Sequence, residues 1–212
     1  ALHDPLTHLP NRELFFDRLN KLLMEEIVGQ EKNFSVLILD IDRFQLINET
    51  LGHSQGDILI QKIAQRLFEY VEPGDTFARL TGDEFGIITE KYSKVGELTH
   101  FINKLQTALK TPISLEDHDI TVTTSIGIKV YSGGEESTVN ILRDADTALH
   151  RAKSQGPNSF SFFIQKMTLE SHQTLKMEHD LRRAIDNKEL ELYYQPQLDM
   201  RNLQIIGVEA LL

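Results

Sequence analysis

Cysteine is absent from the 212 residues of the chain, and its absence excludes several kinds of chemistry. Disulfide scaffolds, zinc sites built on thiolates and catalysis by a thiol nucleophile all require this residue. Basic residues are also in deficit, because 22 lysines and arginines face 32 acidic residues and leave a formal net charge of −10. The basic residues are scattered along the chain, whereas a duplex-binding surface needs them clustered. Nucleic acid is therefore not predicted as a partner.

Long hydrophobic runs are missing as well. The apolar run that ends at Leu39 is far too short to span a bilayer, so no membrane segment is predicted. The N-terminus has no signal-peptide pattern, and its abrupt start is typical of a piece of a longer protein. A cytoplasmic location fits these features, although many secreted bacterial proteins also lack cysteine. The hydrophobic content of 40% suits one domain, or one domain plus a fragment of another.

The periodicity of the apolar residues predicts helices and short strands in mixed order, which indicates an α+β fold rather than a doubly wound sheet. The predicted helices cover residues 11–28, a short segment ending at about Leu51, and residues 56–71, 94–109 and 138–153; the predicted strands cover 34–41, 77–80, 85–89, 120–124, 125–131 and a segment at 160–163. The composition shifts near residues 164–176, which predicts a domain boundary. Beyond it, we expect a charged helix at 167–187 and two strands at 190–195 and 204–211, joined by a turn near Asn202.

Two acidic turns are the most informative feature of the chain. Asp40 and Asp42 end a buried strand, and Asp83 and Glu84 lie at the tip of a predicted hairpin. If the two strands are neighbours, up to four carboxylates meet at one edge of the sheet, where their repulsion favours a bound cation. Ligands that are all oxygen atoms favour Mg²⁺ or Mn²⁺ over zinc. Alternatively, each acid is only a strand-end or turn residue, since Gly-Asp turns are common.

The segment between these two turns contains a second candidate site. Gly52 and Gly56 bracket a turn between two predicted helices, and Asn48 and Asp57 can both point into it. Their amide and carboxylate groups offer hydrogen bonds that match the edge of a guanine. On spacing alone, however, the favoured interpretation is that Asp57 and Ser54 cap the following helix.

Six stretches of the sequence resemble the GGDEF family in order and spacing. They are Asp4-Pro5-Leu6-Thr7-His8-Leu9-Pro10-Asn11-Arg12, Asp40-Ile41-Asp42-Arg43-Phe44, Gly52-His53-Ser54-Gln55-Gly56-Asp57, Arg79-Leu80-Thr81-Gly82-Asp83-Glu84-Phe85, Ser125-Ile126-Gly127 and Ala145-Asp146-Thr147-Ala148-Leu149-His150-Arg151-Ala152-Lys153. The resemblance covers about residues 1–163, and its independent motifs make it highly specific.

The resemblance implies a fold similar to class III nucleotidyl cyclases and the polymerase palm, with a central, mostly antiparallel sheet flanked by helices. It also implies that two such domains form a homodimer, in which two GTP molecules are condensed to cyclic di-GMP. The site residues it implies are Asp83 and Glu84 for catalysis, Asp40, Asp83 and the Ile41 carbonyl for Mg²⁺ or Mn²⁺, Asn48, Asp57 and the nearby His53 for guanine, and Lys153 for the phosphates.

A second resemblance lies at the end of the chain. Tyr194-Gln195-Pro196 and Gly207-Val208-Glu209-Ala210-Leu211-Leu212 match the opening of EAL domains, which hydrolyse cyclic di-GMP. Glu209 matches a metal ligand of that family, but the other ligands lie beyond residue 212, so this segment cannot be a phosphodiesterase. The predicted organisation is a cyclase-type domain at 1–165, a linker helix at 166–188 and a truncated EAL start at 189–212.

Four positions depart from the GGDEF pattern. Thr81 replaces the first glycine of the signature turn, where a β-branched residue adds bulk and disfavours positive φ. Gln45 and Pro157 stand where the family has a lysine and an arginine that face phosphate. Loss of a cation that acts in the transition state can reduce the rate about 10²–10³-fold. Glu72 replaces an arginine of the family's inhibitory product site, so no such feedback site is predicted.

These departures leave two functional hypotheses and a third, structural one. The domain is either an active or weak diguanylate cyclase, or a GTP-binding regulatory module that has lost its chemistry and controls an attached EAL domain. The third hypothesis is a purely structural dimerisation domain, for which the charged helix at 167–187 is the only support.

Overall fold

The structure is a computed structural model that describes residues 2–27, 32–115, 118–134, 136–164, 177, 183–185, 187, 191–201 and 204–211. The chain divides into two units, Ala1–Thr168 and Leu169–Leu212. Within the described part of the chain, no helix has both the length and the apolar character needed to cross a bilayer.

Unit 1 is built on one sheet with helices on both of its faces. The helices are α1 (Arg12–Ile27), α2 (Phe44–Leu51), α3 (His53–Phe68), α4 (Val95–Lys110) and α5 (Thr138–Ser154); the strands are β1 (Phe34–Ile41), β2 (Thr76–Thr81), β3 (Glu84–Thr89), β4 (Ile113–Leu115), β5 (His118–Ile120), β6 (Thr124–Tyr131) and β7 (Phe160–Phe162). The main sheet has the order β2-β3-β1-β6-β7, and only the β6–β7 pairing is parallel. The predicted α+β fold with a mostly antiparallel central sheet is confirmed.

Strand β1 is buried along its whole length because both faces of the sheet are covered. Successive side chains of a strand point to opposite faces. Leu37, Leu39 and Ile41 pack in the core that includes α3 and α4, whereas Val36 and Ile38 pack in the core that includes α1 and α5. This alternation places the next even-numbered residue, Asp40, on the face of α1 and α5.

Helix α5 approaches the sheet unusually closely at Gly127. A Cβ atom built on Gly127 would lie 2.2 Å from both the carbonyl oxygen of Ala145 and the amide nitrogen of Leu149. Any larger residue in the Ser-Ile-Gly stretch would therefore force the helix away from β6. Gly127 thus sets the position of α5, which carries Lys153 in its last turn.

Most of the predicted elements of unit 1 are observed within a few residues, with two corrections. The strand predicted at 120–124 is wrong: β5 ends at Ile120 and β6 begins at Thr124. Strand β5 pairs with β4 in a short hairpin that precedes β6. The capping prediction for Ser54 and Asp57 is also wrong, because both lie inside α3. The N-cap of α3 is Gly52, which has a φ of 85° and makes no side-chain capping bond.

The described part of unit 2 contains an antiparallel pair, β8 (Tyr193–Leu198) and β9 (Ile205–Leu211). These strands correspond to the two predicted at 190–195 and 204–211. The predicted helix at 167–187 and the turn near Asn202 lie largely outside the described residues. Glu209 is in β9, directly opposite Gln195.

Candidate functional site

Two of the predicted acidic residues face each other at the end of the central strands. Asp40, near the end of β1, is the register partner of Glu84, the first residue of β3. Residues directly opposite each other on paired strands point to the same face, so both side chains lie on the face covered by α1 and α5. The structure therefore brings the two predicted acidic turns together at one end of the sheet.

The ammonium group of Lys153 joins this pair. Lys153 Nζ lies 2.6 Å from Asp40 Oδ2, which forms an ion pair between the end of α5 and the end of β1. The Asp40 side chain is 12% exposed and the Lys153 side chain is 43% exposed. The residue predicted to contact phosphate thus lies against a residue predicted to bind metal.

The electrostatic environment of the acidic pair opposes its ionisation. Burial raises the pKa of Asp40, and the charges of Asp83 and Asp42 raise it further, while the contact with Lys153 lowers it. Burial likewise raises the pKa of Glu84, and Asp40 and Asp146 add to the effect. A cation placed among these carboxylates relieves that cost.

Asp42 has a different role from its neighbours. Its two carboxylate oxygens accept hydrogen bonds from the hydroxyls of Thr123 and Ser125, both at 2.6 Å, and from the backbone amide of Asn158 at 2.8 Å. These bonds hold β1, the start of β6 and the α5–β7 connection together. Of the four acids in the two turns, Asp42 is therefore committed to structure.

The turn that carries Asp83 is held by Arg79. The Arg79 guanidinium donates two hydrogen bonds to the Gly82 carbonyl, at 2.7 and 2.9 Å, and pairs with Asp4 at 3.2 Å. Within the turn, Gly82 has a φ of 50°. The backbone amide of Ile41 donates to the Asp83 carbonyl at 3.4 Å, which ties the turn to the end of β1.

The backbone strain expected at Thr81 is not observed. Positive φ at non-glycine positions of the described chain occurs at His8, Arg43 and Asn158, so Thr81 is not affected. Thr81 is the last residue of β2 and pairs with Glu84 beside a register shift. The glycine that the turn requires is Gly82, which has the positive φ. The substitution at Thr81 therefore adds only the bulk of an exposed side chain.

The predicted guanine-reading residues lie around the junction of α2 and α3. Asn48 Oδ1 is buried and has no hydrogen-bond partner among the residues that the structure describes. It packs against Gly56, where an added Cβ would lie only 1.9 Å from it. Asp57 follows Gly56 and is exposed, as is His53 at the start of α3. Asn48 thus packs against Gly56 in the first turns of α3, and no described hydrogen bond links His53 to Asn48 or to Asp57.

Gln45 and Glu72, two of the residues that depart from the family pattern, form hydrogen bonds or an ion pair with neighbouring side chains. The Gln45 side-chain amide donates to Glu49 at 2.9 Å along α2. Glu72 pairs with Lys91 and accepts a hydrogen bond from Tyr92. Pro157 is exposed in the connection after α5. None of these contacts restores the cations that the resemblance places at residues 45, 72 and 157.

Asp146 is a further acid at the site that the predicted set does not include. It lies on α5 in the same motif as Lys153, and its charge raises the pKa of Glu84. Burial raises the pKa of its own carboxyl, and Arg12 opposes this effect. Asp146 belongs to one of the sequence motifs, but only the docking of α5 on the sheet brings its charge close enough to affect the pKa of Glu84.

The donor set fits a magnesium-type cation that also takes ligands from a nucleotide. The described residues contain no group of three or more His, Cys, Asp or Glu side chains arranged to hold a metal ion. Mg²⁺ commonly binds through one or two carboxylates together with phosphate oxygens and water. Asp40 already attracts a cation, since the Lys153 ammonium lies on it. In number and kind, the oxygen atoms of Asp40, Asp83 and the Ile41 carbonyl fit the protein ligands of such an ion.

Comparison with known proteins agrees with this geometry. Residues 1–159 match the family model described as diguanylate cyclase, GGDEF domain. Unit 1 is similar to the solved GGDEF domain of YfiN (TpbB) from Pseudomonas aeruginosa, with a TM-score of 0.74 and 32% identity, over 80% of this chain and 99% of that one.

Two curated relatives from Pseudomonas aeruginosa match the whole chain. It is 38% identical over 212 residues to MucR, a bifunctional diguanylate cyclase/cyclic di-GMP phosphodiesterase. It is 32% identical over 214 residues to NbdA, a cyclic di-GMP phosphodiesterase. The chain spans only 31% of MucR and 27% of NbdA, so it corresponds to less than a third of either relative.

Proposed function

Because the chain belongs to the GGDEF family of diguanylate cyclase domains, we propose that it binds GTP with Mg²⁺ or Mn²⁺ and condenses two GTP molecules, weakly, to cyclic di-GMP. The observation that carries this proposal is the meeting of Asp40, Glu84 and Lys153 at one end of the sheet, next to the turn that holds Asp83. This cluster combines acidic ligands with a lysine that can bind phosphate.

The chain's own residues divide the task between two regions. The buried Asn48 Oδ1 needs a hydrogen-bond donor, and the N1–H and N2–H groups of guanine are donors. Lys153, more exposed than its partner, can turn to the phosphates. Asp83 accepts the proton of the attacking 3′-hydroxyl, with Glu84 beside it. Asp40, Asp83 and the Ile41 carbonyl would hold the divalent cation, which would neutralise the charge that develops on the transferred phosphate.

Two copies are needed for the reaction, since each domain holds one GTP and each 3′-hydroxyl attacks the α-phosphate of the other nucleotide. We therefore propose a homodimer in which the acidic ends of the two sheets face each other. Cyclic di-GMP and two pyrophosphate molecules leave the site. The supply of GTP is consistent with action in the cytoplasm.

A second candidate is a GTP-binding regulatory module without turnover. It is favoured by the residues at the substituted positions, because neither supplies the cation that would face phosphate. The Gln45 side chain donates a hydrogen bond to Glu49, and Pro157 carries no charge. We propose in that case that residues 166–188 link the domain to an EAL domain that begins at 189–212, with Glu209 as one of its metal ligands. The similarity to MucR and NbdA over the whole chain supports this arrangement.

Product formation and nucleotide binding distinguish the two candidates. The protein is incubated with GTP and Mg²⁺ or Mn²⁺, and cyclic di-GMP is measured by chromatography; binding of a non-hydrolysable GTP analogue is measured by calorimetry. Product supports the cyclase, binding without product supports the regulatory module, and no binding contradicts both.

Replacement of Asp83 by Ala tests the placement of the site. Any cyclase activity should fall below detection, because the variant loses both a cation ligand and the proton acceptor. The control is Asp17→Ala, an exposed acid on α1 that should retain full activity. Activity that survives in the Asp83 variant means that the site has been misplaced.

A further inference from the structure

Asp40 takes part in two interactions that compete with each other. The same carboxylate is a proposed ligand of the divalent cation and the observed partner of Lys153, whose Nζ lies 2.6 Å from Oδ2. A charge-assisted contact of this length is among the stronger hydrogen bonds in proteins. A cation that coordinates Asp40 through Oδ2 therefore has to displace the ammonium group.

The two partners differ in how easily they can move. The Asp40 side chain is 12% exposed and is fixed by the pairing of β1 with β3 and β6. Lys153 is 43% exposed and extends from the last turn of α5 on a flexible stem. The lysine is thus the group that leaves when the site changes its occupant.

The protein offers little to offset the loss of this ion pair when a metal ion binds alone. In the part of the chain that the structure describes, no three acidic or histidine side chains are arranged around one ion. A triphosphate changes the balance in two ways, because it adds oxygen ligands for the cation and gives Lys153 a new anionic partner.

We propose that Lys153 acts as an intramolecular counter-ion that competes with the divalent cation for Asp40 and thereby makes metal binding depend on the nucleotide. The inference rests on the function proposed above, since it requires that metal and GTP share this site. Metal and nucleotide then bind cooperatively, and by linkage each strengthens the binding of the other to the same extent. Lys153 is then a phosphate-binding residue that also couples the binding of the metal ion to that of the nucleotide.

Manganese titration without nucleotide tests the competition directly. The whole chain is titrated with Mn²⁺ at mildly alkaline pH, and the free ion is followed by its electron paramagnetic resonance signal. Lys153→Met should bind Mn²⁺ about three- to tenfold more tightly than the unmodified protein, because no ammonium has to be displaced. Lys91→Met is the matched control, since it removes one positive charge at the opposite end of β3 and should leave Mn²⁺ affinity unchanged.

A second titration contains a non-hydrolysable GTP analogue. The analogue should tighten Mn²⁺ binding to the unmodified protein by a larger factor than to Lys153→Met, and Lys153→Arg, which keeps the charge, should resemble the unmodified protein. The competition is refuted if Lys153→Met binds Mn²⁺ alone no more tightly, or if Lys153→Arg behaves as the Met variant does. If the unmodified protein binds neither the ion nor the analogue, the proposed function fails together with this inference.

Discussion

The side chain of Asn48 packs against α3 at a point where only glycine fits. Gly56 is buried, and a methyl group added there would lie 1.9 Å from Asn48 Oδ1 and 3.0 Å from Asn48 Cγ. The close approach holds the Asn48 amide inside the α2–α3 junction, where its oxygen has no hydrogen-bond partner in the described chain. A buried polar atom without a partner costs about 1–3 kcal/mol, so a ligand that donates a hydrogen bond gains from filling this place.

Gly56→Ala should therefore weaken guanine nucleotide binding as well as the fold. The added methyl group displaces the Asn48 amide, and we expect a loss of about tenfold or more in affinity for the GTP analogue, with about 1–3 kcal/mol of destabilisation. Calorimetry and thermal unfolding measure the two effects. Gly96→Ala in α4 is the control, because a Cβ there meets nothing within 4 Å and should stabilise the helix by up to about 1 kcal/mol. Equal affinity in the Gly56 variant would place the guanine elsewhere.

Two of the substituted positions, Thr81 and Gln45, differ in what they are expected to cost in activity. Thr81 does not have positive φ, so restoring glycine there relieves bulk but no backbone strain. Gln45 is bonded to Glu49, and Gln45→Lys supplies a missing cation at the start of α2. The double variant should raise cyclic di-GMP formation, up to about 10²-fold, and Gln45→Lys alone should account for most of the gain. A flat rate in both variants shows that neither substitution limits turnover.

At the scale of elements, the β2–β3 turn depends on a connection to the N-terminal segment. Arg79 reaches the Gly82 carbonyl and Asp4, and both ionic side chains are mostly buried, at 14% and 16% exposed. Burial of Asp4 opposes its ionisation, but hydrogen bonds from Thr7 and Arg79 outweigh burial and lower the pKa of the carboxyl. The turn that presents Asp83 is thus fixed by residues that precede α1.

Arg79→Lys should loosen this turn although it preserves the charge. A lysine cannot bond the Gly82 carbonyl and the Asp4 carboxylate with the same planar set of donors. We expect about 1–3 kcal/mol of destabilisation in thermal unfolding and a reduced rate of product formation. Arg143→Lys is the control, since the Arg143 pair with Asp144 is 60% exposed on the arginine side and should contribute almost nothing. Equal stability of the two variants would show that the turn needs no such connection.

How far the sequence predicts these elements depends on how local their causes are. Strands β1 and β3 were predicted from their apolar runs, and the hairpin signal predicted the pairing of β2 with β3. The pairing of β1 with β3 could only be assumed, because α2, α3 and β2 separate the two strands in the chain. The β4–β5 hairpin was missed because each strand has only three residues, too few for a period to be visible. The strand predicted at 120–124 failed because Thr123 is withdrawn toward Asp42, a contact between residues 81 positions apart.

In the candidate site, too, the sequence predicted which residues take part but not the contacts that depend on the tertiary fold. Sequence motifs named Asp40, Asp83, Glu84 and Lys153, but spacing could not show that Lys153 lies on Asp40, because that contact depends on how α5 packs on the sheet. The structural role of Asp42 and the effect of Asp146 on the pKa of Glu84 likewise arise from the tertiary fold. Short polar residues at turns are compatible with many partners, so local pattern alone favoured capping for Asp57.

At the scale of the whole molecule, unit 1 gathers carboxyl groups whose ionisation the fold opposes. Burial raises the pKa of Asp40, Glu84 and Asp146 at the site and of Asp75 at the start of β2. A carboxyl with a raised pKa binds its proton more tightly in the folded than in the unfolded state. The free energy of unfolding therefore falls as pH rises from the ordinary carboxyl pKa through the raised folded value.

Asp40→Asn should remove the loss of stability that the buried Asp40 carboxylate causes, and the variant should be more stable than the unmodified protein at neutral pH. Asparagine resembles the protonated carboxyl, so the variant and the unmodified protein should unfold at similar temperatures below pH 3.8, the ordinary pKa of the group. Above the raised pKa of the folded protein, the variant should have the higher melting temperature, because residue 40 then carries no buried negative charge close to those of Asp83 and Glu84. Asp17→Asn, at an exposed acid on α1, controls for the change in net charge.

Addition of ligand should raise the melting temperature of the unmodified protein more than that of Asp40→Asn. Mg²⁺ with a non-hydrolysable GTP analogue binds only the folded state and should raise the melting temperature of the unmodified protein, whereas Asp40→Asn, which lacks a ligand oxygen of full charge, should gain little. The destabilising carboxylate of the free protein is then the stabilising one of the loaded protein, as expected for a residue kept for binding rather than for folding. An Asp40→Asn variant that is less stable than the unmodified protein at neutral pH would mean that the ion pair with Lys153 outweighs the burial of its carboxylate.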